Sequence, residues 1–567
     1  MKKNTFTQEN KIKVMNILFI IKAILVIFIC MIGSVGANFS YYVFPFTEVI
    51  LVFIFTFLIS KRHPVMAYIF NSCFCLILLL QQCLLYFSGE YATLILLENI
   101  SAFSALGNSV IFYTVLIAAV IIVSFLPLRL TIEKSKSLKI NLKFMLAALL
   151  IYSILVGTTT GDTMKPSPIA SLGFTISEMI SSQIKIAELR TIDSEELKDK
   201  FYLESIEQGF ESDDESTEHP NVILIFAEGM SAEVIDRHRP EDQVANLTLT
   251  PNINKFYDRS IVFENYINHT AATYRGLWGQ LFSGYLLRGG RSSNLDGLQD
   301  VDAKEVSERM NTDLISLPSI FNDLSYATFM INTEPENPPF TAFVNELHFN
   351  EVITADDHSR MMTDKEAFEL LLNTVKTHEE PFFAAMYTVA THVGFDSPDE
   401  KYGDGSDPVL NRFYNFDVQF GNFLDEFLES DLASNTIIIF TTDHASANVP
   451  EYLTALNSEA DSFIYSIPLL IYQEGIEHEI IDARGRNSLC LAPTILDFIG
   501  ARNHENYFLG TSLFEIDEDN PFATISALGT VYYNSNSVFP PEQINLNDPK
   551  YTEVISRIEE YYAITIE

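Results

Sequence analysis

The sequence predicts a protein of two parts: an N-terminal all-α transmembrane domain of five helices, and a C-terminal α/β domain. Five apolar runs fill roughly the first 158 residues, and each approaches the length of about 20 residues that a helix needs to cross a bilayer core. After residue 220, short apolar runs that end in polar residues alternate with amphipathic helical segments, a pattern typical of an α/β sheet. A length of 567 residues also suits two domains better than one.

The apolar runs are interpreted as membrane-spanning helices because backbone polar groups in lipid must be satisfied within their own segment. A cleaved signal peptide would explain the first run but not the four that follow it. The runs cover approximately residues 14–33, 41–60, 66–87, 109–128 and 142–158.

The basic residues predict how these helices are oriented. Four lysines precede the first run, Lys61 and Arg62 separate the second from the third, and further basic residues fill the loop before the fifth. The loops near 34–40 and 88–108 contain neither Lys nor Arg. Because positive residues stay on the cytoplasmic side, we expect a multi-pass protein of the cell membrane. Its N-terminus would lie inside, and everything after the fifth run outside the cytoplasm.

The charge of the chain excludes one class of partner. The net charge is −38, and the first 160 residues hold 12 Lys and Arg against only 5 Asp and Glu, so the remainder is strongly acidic. Binding to nucleic acid depends on neutralising phosphates with Lys and Arg, and we therefore expect no nucleic-acid partner. Four of the five cysteines lie in apolar runs, which leaves Cys490 alone in the second part and rules out a disulfide framework there.

A connector is expected between the two domains. Apolar residues from Ile176 to Ile186 recur at roughly helical spacing. They indicate an amphipathic helix that lies on the membrane surface or packs on the second domain. Acidic residues from Glu207 to Glu218 indicate an exposed link. The predicted domains are transmembrane residues 1–158, connector 159–219 and extracytoplasmic domain 220–567.

Chemically useful side chains follow three of the apolar runs in the second part. Glu228 comes directly after one run, Asp443 and His444 after another, and His392 closes a third that begins at Pro381. Ligands gather at the carboxyl ends of strands in α/β sheets, and oxygen and imidazole ligands suit Mn²⁺ or Zn²⁺. Singly, each residue has an ordinary alternative explanation, such as a helix N-terminal charge for Glu228 or a surface Asp-His pair.

Several segments in order resemble the sulfatase/alkaline phosphatase superfamily, and within it the lipoteichoic acid synthase-like phosphoglycerol transferases. The resemblance runs from Asn221 to about Phe514. Its segments are residues 221–229, 250–254, 262–266, the T-x-R-G-L match 273–277, 388–392, the T-D-H-A match 442–445 with Ala in place of Gly, and 467–472, 493–500 and 510–514, the last three similar to the family's C-terminal strands.

The resemblance implies a metal-dependent reaction. Glu228, Asp443, His444 and the oxygen of Thr273 would hold one divalent ion, with Mn²⁺ the first choice and Zn²⁺ or Mg²⁺ the alternatives. Thr273 would be the nucleophile, since coordination to a metal is one way to activate a poor hydroxyl nucleophile. His392 would bind a phosphate oxygen or transfer a proton, and Arg275 would pair with phosphate.

The implied activity is transfer of a phospholipid headgroup through a phosphothreonine intermediate. The donor would be phosphatidylglycerol or phosphatidylethanolamine, and the acceptor an extracytoplasmic glycan, polymer or lipid. Residues 332–340 depart from the family pattern. They offer Glu334, Glu336 and Asn337 where lipoteichoic acid synthases carry aromatic, Arg and His residues, and carboxylates there could favour a cationic group such as ethanolamine.

Other interpretations remain open. Thr270 offers a second hydroxyl close to Thr273; its alternative role is that of a helix cap. A phosphodiesterase or sulfatase-type hydrolase is a further alternative, although no C/S-x-P-x-R segment occurs near Thr273. An inactive relative that serves as a scaffold is less favoured, because every expected metal ligand is present. Phosphoethanolamine-transferring relatives usually have disulfide-rich domains, unlike this chain.

Overall fold

The structure is a computed structural model. It describes residues 8–35, 37–60, 63–88, 91–92, 110–126, 138–159, 166–189, 191, 194–206, 219–239, 247–289, 297–378, 381–536 and 538–565. The described chain forms two compact units, Met1–Gln183 and Ile184–Glu567. The predicted acidic link at 207–218 and most of the loops at 88–108 and 129–137 lie outside the described residues.

The first unit is helical. Four of the five predicted apolar runs fall within its helices, and the helix in the fourth run, 109–128, covers Val110–Ser124. The helices are α1 Gln8–Gly33, α2 Ser40–Ser60, α3 Pro64–Ser88, α4 Val110–Ser124, α5 Leu138–Thr159 and α6 Pro168–Leu189, the last of which contains the division between the units. Among the described residues, two helical stretches are long and apolar enough to cross a membrane, Ser40–Ser60 and Pro64–Phe87. Five crossings therefore stay a prediction.

Apolar side chains cover the outside of the first unit as well as its interior. Ile20, Ile24 and Phe28 are spaced one turn apart on α1 and are 58%, 60% and 61% exposed. Val26 of the same helix and Leu78 of α3 are fully buried. Continuous exposed apolar surface of this kind marks a contact with a membrane or another protein, and it agrees with the hydropathy of α2 and α3.

One carboxylate is buried among these helices. Glu48 of α2 accepts hydrogen bonds from the hydroxyls of Tyr152 and Ser167 and from the backbone N–H of Ile169, the last at 3.2 Å. These bonds satisfy Glu48 and cap the start of α6, where backbone N–H groups lack helical partners. The residue also lines a cavity of about 430 Å³ between apolar side chains such as Phe55 and Phe74.

The second unit is built on a mixed sheet of eight strands. The strands are β1 Asn221–Ala227, β2 Ile261–Glu264, β3 Ala327–Ile331, β4 Glu351–Ile353, β5 Phe382–Tyr387, β6 Thr436–Thr442, β7 Leu470–Tyr472 and β8 Glu479–Asp482. Their order is β4-β3-β5-β1-β6-β7-β2-β8. All pairings are parallel except those that β7 makes with β6 and β2. The predicted α/β class is confirmed, with one strand reversed.

The sheet is covered by a hydrophobic core on each face. Successive residues of β1 alternate between the two cores: Val222 and Leu224 pack into one, Ile223 and Ile225 into the other. Side chains alternate along a strand, so a strand buried on both faces must be apolar at every position. This explains the uninterrupted apolar run at 222–227.

Helices of the second unit connect and cover the strands. They are α7 Ser194–Lys198, α8 Pro251–Tyr257, α9 Thr273–Phe282, α10 Ala303–Met310, α11 Leu317–Asp323, α12 Pro338–Asn345, α13 Asp364–Val375, α14 Pro408–Leu428, α15 Pro450–Leu456, α16 Leu491–Phe498 and α17 Pro549–Ile564. A second sheet of β9 Ile525–Leu528, β10 Val531–Asn534 and β11 Glu542–Gln543 has the antiparallel order β11-β10-β9.

Two of the three expected C-terminal strands are absent from the places where the sequence suggested them. Residues 493–500 lie mainly in helix α16, and residues 510–514 form a turn-containing segment without strand pairing. Leu491, Ile495 and Leu496 are all fully buried in α16. Their spacing of one and four residues fits one side of a helix. The third expected strand, within 467–472, is β7.

Candidate metal centre and active site

Three strand ends meet at one edge of the large sheet. In the parallel register Ala227 at the end of β1 pairs with Thr442 at the end of β6, and Phe226 pairs with Tyr387 at the end of β5. Glu228 and Asp443 are the next residues along β1 and β6, so the fold places them side by side. The segment after β5 carries His392 beside them, since the Thr391 hydroxyl donates to the Glu228 carbonyl oxygen at 2.6 Å.

Glu228, Asp443 and His444 form a compact group of possible metal ligands. One ligand atom from each lies within 4.8 Å of the others. His444 Nε2 is 3.6 Å from Glu228 Oε1 and 3.3 Å from Asp443 Oδ2. All three side chains are buried. Two carboxylates and an imidazole at such separations are a donor set that a divalent cation fits.

The hydrogen bonds around these ligands leave one atom of each turned to a common point. Asp443 Oδ1 accepts from the backbone N–H groups of Gly229 at 2.9 Å and His444 at 2.8 Å, whereas the buried Oδ2 has no hydrogen-bond partner among the described residues. His444 Nδ1 lies 2.7 Å from the Ala445 carbonyl oxygen. That contact favours the tautomer with the proton on Nδ1, which leaves a lone pair on Nε2 for a metal. The unpaired Asp443 oxygen is the clearest sign that the site fits a cation.

The electrostatics of the two carboxylates point the same way. Burial opposes ionisation of Glu228, but its interactions with the His444 and His392 rings and the hydrogen bond from Tyr387 outweigh it, so the pKa of this carboxyl is lowered. Burial and the charge of Glu228 raise the pKa of Asp443 well above its ordinary value. Two carboxylates this close cannot both ionise cheaply without a positive charge between them, and a divalent ion would supply that charge.

The hydroxyl of Thr273 lies at this group. Thr273 is the first residue of α9, and its Oγ1 donates to Glu228 Oε2 at 3.1 Å. The side chain is only partly buried, so the oxygen is accessible to a substrate as well as close to the ligands. Thr273 therefore has the position of a nucleophile or fourth ligand.

Gly276 of the T-x-R-G-L segment and Gln280, one turn further along α9, hold this helix against the end of β6. A Cβ on Gly276 would lie 2.3 Å from the Asp443 carbonyl oxygen, so only glycine permits this approach. Gln280 Nε2 donates to the carbonyl oxygens of Thr442 at 2.9 Å and Asp443 at 3.2 Å. The glycine and the amide thus fix the start of α9, and with it Thr273, relative to the metal ligands.

Thr270 is directed elsewhere. Its hydroxyl donates to the Ala527 carbonyl oxygen at 2.7 Å, and the residue is 3% exposed. It is also not a helix cap, because the N-cap of α9 is Ala272. The alternative role as a cap is therefore wrong: Thr270 ties the segment before α9 to β9 of the small sheet.

Arg275 lies toward the small sheet. A Cβ on Gly289 would be 3.1 Å from its guanidinium carbon, and one on Gly529 would be 3.7 Å from Nη1. Its charge also acts on Tyr562. Side chains two residues apart on a helix point to different sides, so Arg275 and Thr273 diverge. The predicted phosphate pairing of Arg275 finds no support in this placement.

His392 keeps one ring nitrogen available. Its Nδ1 lies 2.8 Å from the Val393 carbonyl oxygen, which favours a proton on Nδ1 and a free Nε2. The ring is partly exposed and lies close enough to Glu228 for the two side chains to interact electrostatically. This arrangement suits a group that receives or donates a proton beside the metal ligands.

Sequence patterns did not single out Tyr387, the last residue of β5. Its hydroxyl donates to Glu228 Oε2 at 2.6 Å, and the side chain is 1% exposed. A tyrosine at a strand end is usually core packing, so only its position beside β1 could have indicated a contact with Glu228. The sequence had singled out Glu334; the charge of Glu228 acts on it, and its own charge acts on Tyr387.

The family model described as Sulfatase matches residues 220–501. This part of the chain, just under half of its length, is similar to the sulfatase family. The sulfatase-family domain is expected to depend on a divalent metal ion, and Glu228, Asp443 and His444 are the residues that fit one. The predicted resemblance to the sulfatase/alkaline phosphatase superfamily is thereby confirmed.

Solved structures of related proteins resemble the chain at low identity. A protein in the alkaline phosphatase superfamily from Vibrio parahaemolyticus has 14% identity and a TM-score of 0.49, covering 66% of this chain and 95% of its own. The lipoteichoic acid synthase LtaP from Listeria monocytogenes has 15% identity and a TM-score of 0.48, covering 66% and 97%. A phosphonate monoester hydrolase from Silicibacter pomeroyi has 13% identity and a TM-score of 0.38, covering 60% and 93%. No curated protein sequence matches the chain.

Proposed function

We propose that this protein is a membrane-anchored, metal-dependent phosphotransferase with Thr273 as its nucleophile. The observation that carries the proposal is the 3.1 Å hydrogen bond between Thr273 Oγ1 and Glu228 Oε2, within the group of metal ligands. A sulfatase of this family would need a modified Cys or Ser in a C/S-x-P-x-R segment, and the chain has Thr273-Tyr-Arg-Gly-Leu instead. Nucleophilic attack on phosphorus is therefore the reaction that the Thr273 hydroxyl supports best.

The bound metal ion, with Mn²⁺ as the first choice and Zn²⁺ or Mg²⁺ as alternatives, would supply charge stabilisation for a phosphoryl oxygen. Glu228, Asp443 and His444 would hold it together with the Thr273 oxygen. In the first step Thr273 Oγ1 attacks the phosphorus of a phospholipid headgroup. Its proton passes to Glu228 Oε2, to which it is already hydrogen-bonded.

The bond from phosphorus to the diacylglycerol oxygen breaks as the bond to Thr273 forms. That oxygen needs a proton for diacylglycerol to leave as a neutral alcohol, and His392 is the group placed to give it, provided that Nε2 carries a proton when the step begins. An acceptor hydroxyl then attacks the phosphothreonine, His392 takes its proton, and Thr273 recovers its own. The acceptor is an extracytoplasmic glycan, polymer or lipid.

The membrane location rests on the first unit. Its apolar helices carry continuous exposed apolar surface, and two have the length and hydropathy of membrane spans. We propose that α1 to α5 all cross the membrane and that the basic loops lie inside, which places the domain at 220–567 outside the cytoplasm. A membrane anchor would bring the active site to its lipid donor.

Intact-mass analysis of the full-length protein tests the proposal. The purified chain in detergent with Mn²⁺ is incubated with phosphatidylglycerol or phosphatidylethanolamine. We expect a covalent adduct of one headgroup phosphate that Thr273→Ala abolishes and Thr270→Ala retains. Thr270→Ala is a matched control, because it removes a nearby hydroxyl that faces Ala527 instead of the ligands. An adduct that survives Thr273→Ala, or none with either lipid, would contradict the proposal.

A specific observation favours ethanolamine as a second candidate headgroup. Glu334 and Glu336 have no ion-pair partner among the described residues, and Glu336 Oε2 is buried without a hydrogen-bond partner. Burial raises the pKa of Glu334 to about 7, and the negative charge of Glu228 adds to this. A primary ammonium donates three hydrogen bonds and would neutralise this pair.

Headgroup choice can be measured in the same assay. If ethanolamine is the headgroup, the adduct forms faster from phosphatidylethanolamine, and Glu334→Gln reduces that preference. If phosphoglycerol is transferred, phosphatidylglycerol is the better donor and Glu334→Gln leaves the ratio of the two lipids unchanged. Asp357→Asn, on an exposed loop, controls for the loss of one negative charge.

A further inference from the structure

A second arginine lies near the metal ligands and has no role in the scheme above. Arg412 is in the second turn of α14 and only 3% exposed. A guanidinium is always charged in a protein, and burying an unpaired charge is costly. Such a residue is expected to have a counter-ion in the working protein.

The contacts of Arg412 within the protein are weak. Its Nη1 is 3.8 Å from Glu451 Oε1, which is too long for a hydrogen bond, and the Glu451 side chain is 52% exposed. Both Nε and Nη1 of Arg412 are buried without hydrogen-bond partners among the described residues. The guanidinium also lies 5.3 Å from the centre of the Phe413 ring. None of these contacts satisfies the planar set of N–H donors.

Arg412 is placed between the segments that carry the site residues. Asn411 beside it donates to Asp396 Oδ1 at 2.9 Å, in the segment after β5 that also holds His392. Glu451 opens α15, in the segment that follows Asp443 and His444 after β6. Arg412 therefore lies at the same edge of the sheet as the metal ligands.

The segment that follows β1 also lies close to Arg412. The ring of Phe413 packs against Tyr452 at 6.3 Å, and the Tyr452 hydroxyl donates to Glu233 Oε1 at 2.8 Å. Glu233 is five residues beyond Glu228, and the charge of Glu228 itself acts on Arg412. The buried cation and the metal ligands thus share one electrostatic environment.

Two of the nearby carboxylates are committed to other partners. Asp407 accepts from the backbone N–H groups of Val409 at 2.9 Å and Leu410 at 3.2 Å, which caps α14. Glu228 accepts from Tyr387 and Thr273 and belongs to the proposed metal centre. Neither of them is free to pair with Arg412 as well, and an anion from outside the protein would satisfy its guanidinium.

We propose that Arg412 and the metal centre form a binding site for a phosphate group, in which Arg412 takes a phosphoryl oxygen. The proposal rests on the proposed function, because it assigns a second phosphate-binding residue to the same reaction. A guanidinium presents two parallel N–H groups that match two phosphate oxygens. Arg412 would then take the phosphate-pairing role that the sequence suggested for Arg275, which is directed to the small sheet.

Binding of inorganic phosphate tests the site without any catalytic turnover. Titration calorimetry is carried out on the full-length protein in detergent with Mn²⁺. We expect Arg412→Gln to weaken phosphate binding by about 10- to 100-fold, as charge-assisted hydrogen bonds are lost. Arg412→Lys keeps the charge but not the planar fork. Its phosphate affinity should lie between those of the wild type and Arg412→Gln.

Arg239→Gln is the matched control. Arg239 is as buried as Arg412, but its guanidinium donates to the carbonyl oxygens of Glu233, Val234 and Leu247. This variant should lose thermal stability and keep its phosphate affinity. If Arg412→Gln unfolds, the comparison of Arg412→Lys with wild type carries the test.

The result that overturns the proposal is unchanged phosphate affinity in the folded Arg412 variants, or no measurable phosphate binding in the wild type. Either would leave Arg412 as a packing residue. Failure of the Arg412 site can be distinguished from failure of the proposed function, because the Thr273 adduct is measured in a separate experiment. Suppose that Arg412→Gln loses phosphate binding while the wild type forms no Thr273 adduct. That result would support this binding site and contradict the transfer reaction.

Discussion

Gly276 lies so close to Asp443 that a Cβ on residue 276 would be 2.3 Å from the Asp443 carbonyl oxygen. This contact joins the helix that begins with Thr273 to the strand end that supplies two metal ligands. The geometry of the proposed active site therefore depends on the absence of one side chain. A T-x-R-G-L segment has a physical reason for its glycine in this fold.

Gly276→Ala is expected to displace α9 and thereby Thr273. Overpacking of this kind costs about 1–3 kcal/mol, and we expect a lower thermal midpoint together with loss of the Thr273 adduct. Gly173→Ala in α6 is the control, since a Cβ there meets nothing within 4 Å. Equal adduct formation by Gly276→Ala and wild type would show that the contact does not position the nucleophile.

Tyr387→Phe is expected to weaken the metal centre while preserving the fold. It removes the hydroxyl that donates to Glu228 Oε2 at 2.6 Å. Residues that orient metal ligands typically contribute about 10- to 100-fold to metal affinity or activity, and Mn²⁺ titration should reveal a loss of that size. Tyr266→Phe is a matched control, because the buried Tyr266 hydroxyl has no hydrogen-bond partner among the described residues. A Tyr387→Phe variant with wild-type Mn²⁺ affinity would argue against this role.

Removal of the metal ion should lower the stability of the second unit. A ligand at 100 times its Kd stabilises a folded protein by about 2.7 kcal/mol. We therefore expect chelation by EDTA to lower the thermal midpoint of the wild type, and Mn²⁺ to restore it. In Asp443→Asn and His444→Ala the midpoint should respond much less to either treatment. A wild-type midpoint that is insensitive to EDTA and to added Mn²⁺ would contradict the assignment of a metal centre.

Asp364, away from the ligands at the start of α13, should make stability depend on pH. Burial raises its pKa from 3.8 to about 7, although Asn415 Nδ2 donates to it at 2.9 Å. A carboxyl with a raised folded pKa holds its proton more tightly in the folded state. Its contribution to stability is therefore present at acid pH and is lost as the pH rises from 3.8 through about 7.

Chemical denaturation at several pH values tests this dependence. Relative to Asp364→Asn, the wild type should become less stable as the pH rises through that window, with no further change above it. Asp431→Asn removes an exposed carboxyl and should follow the wild type in its pH dependence. A constant difference between wild type and Asp364→Asn would show that Asp364 does not titrate as its burial implies.

Local patterns were sufficient for much of the architecture. Four of the apolar runs before residue 160 lie entirely in helices and the remaining run, 109–128, does so over Val110–Ser124, while the apolar segments before Glu228 and Asp443 are strands β1 and β6. Apolar periodicity over a few residues determines such elements, because each must bury one or both of its faces. The same reasoning failed for residues 493–500, where a short apolar segment suited a strand but forms helix α16.

The pairing of distant residues required the tertiary structure. Thr270 and Thr273 are equivalent hydroxyls in the sequence, yet one donates to Ala527 and the other to Glu228. These partners are separated from them by 257 and 45 residues. No local periodicity encodes such contacts, and only the packing of α9 against the sheet selects between the two.

The sequence by itself therefore determined the helices of the first unit, the main strands of the second and the polar residues at their ends, because short-range patterns of apolar side chains specify them. The tertiary structure alone decided that Thr273 faces Glu228, that Tyr387 supports this carboxylate and that Arg275 is directed to the small sheet. It also placed the buried Arg412 among the segments that carry the metal ligands. These facts depend on which elements pack side by side, and that is a property of the complete fold.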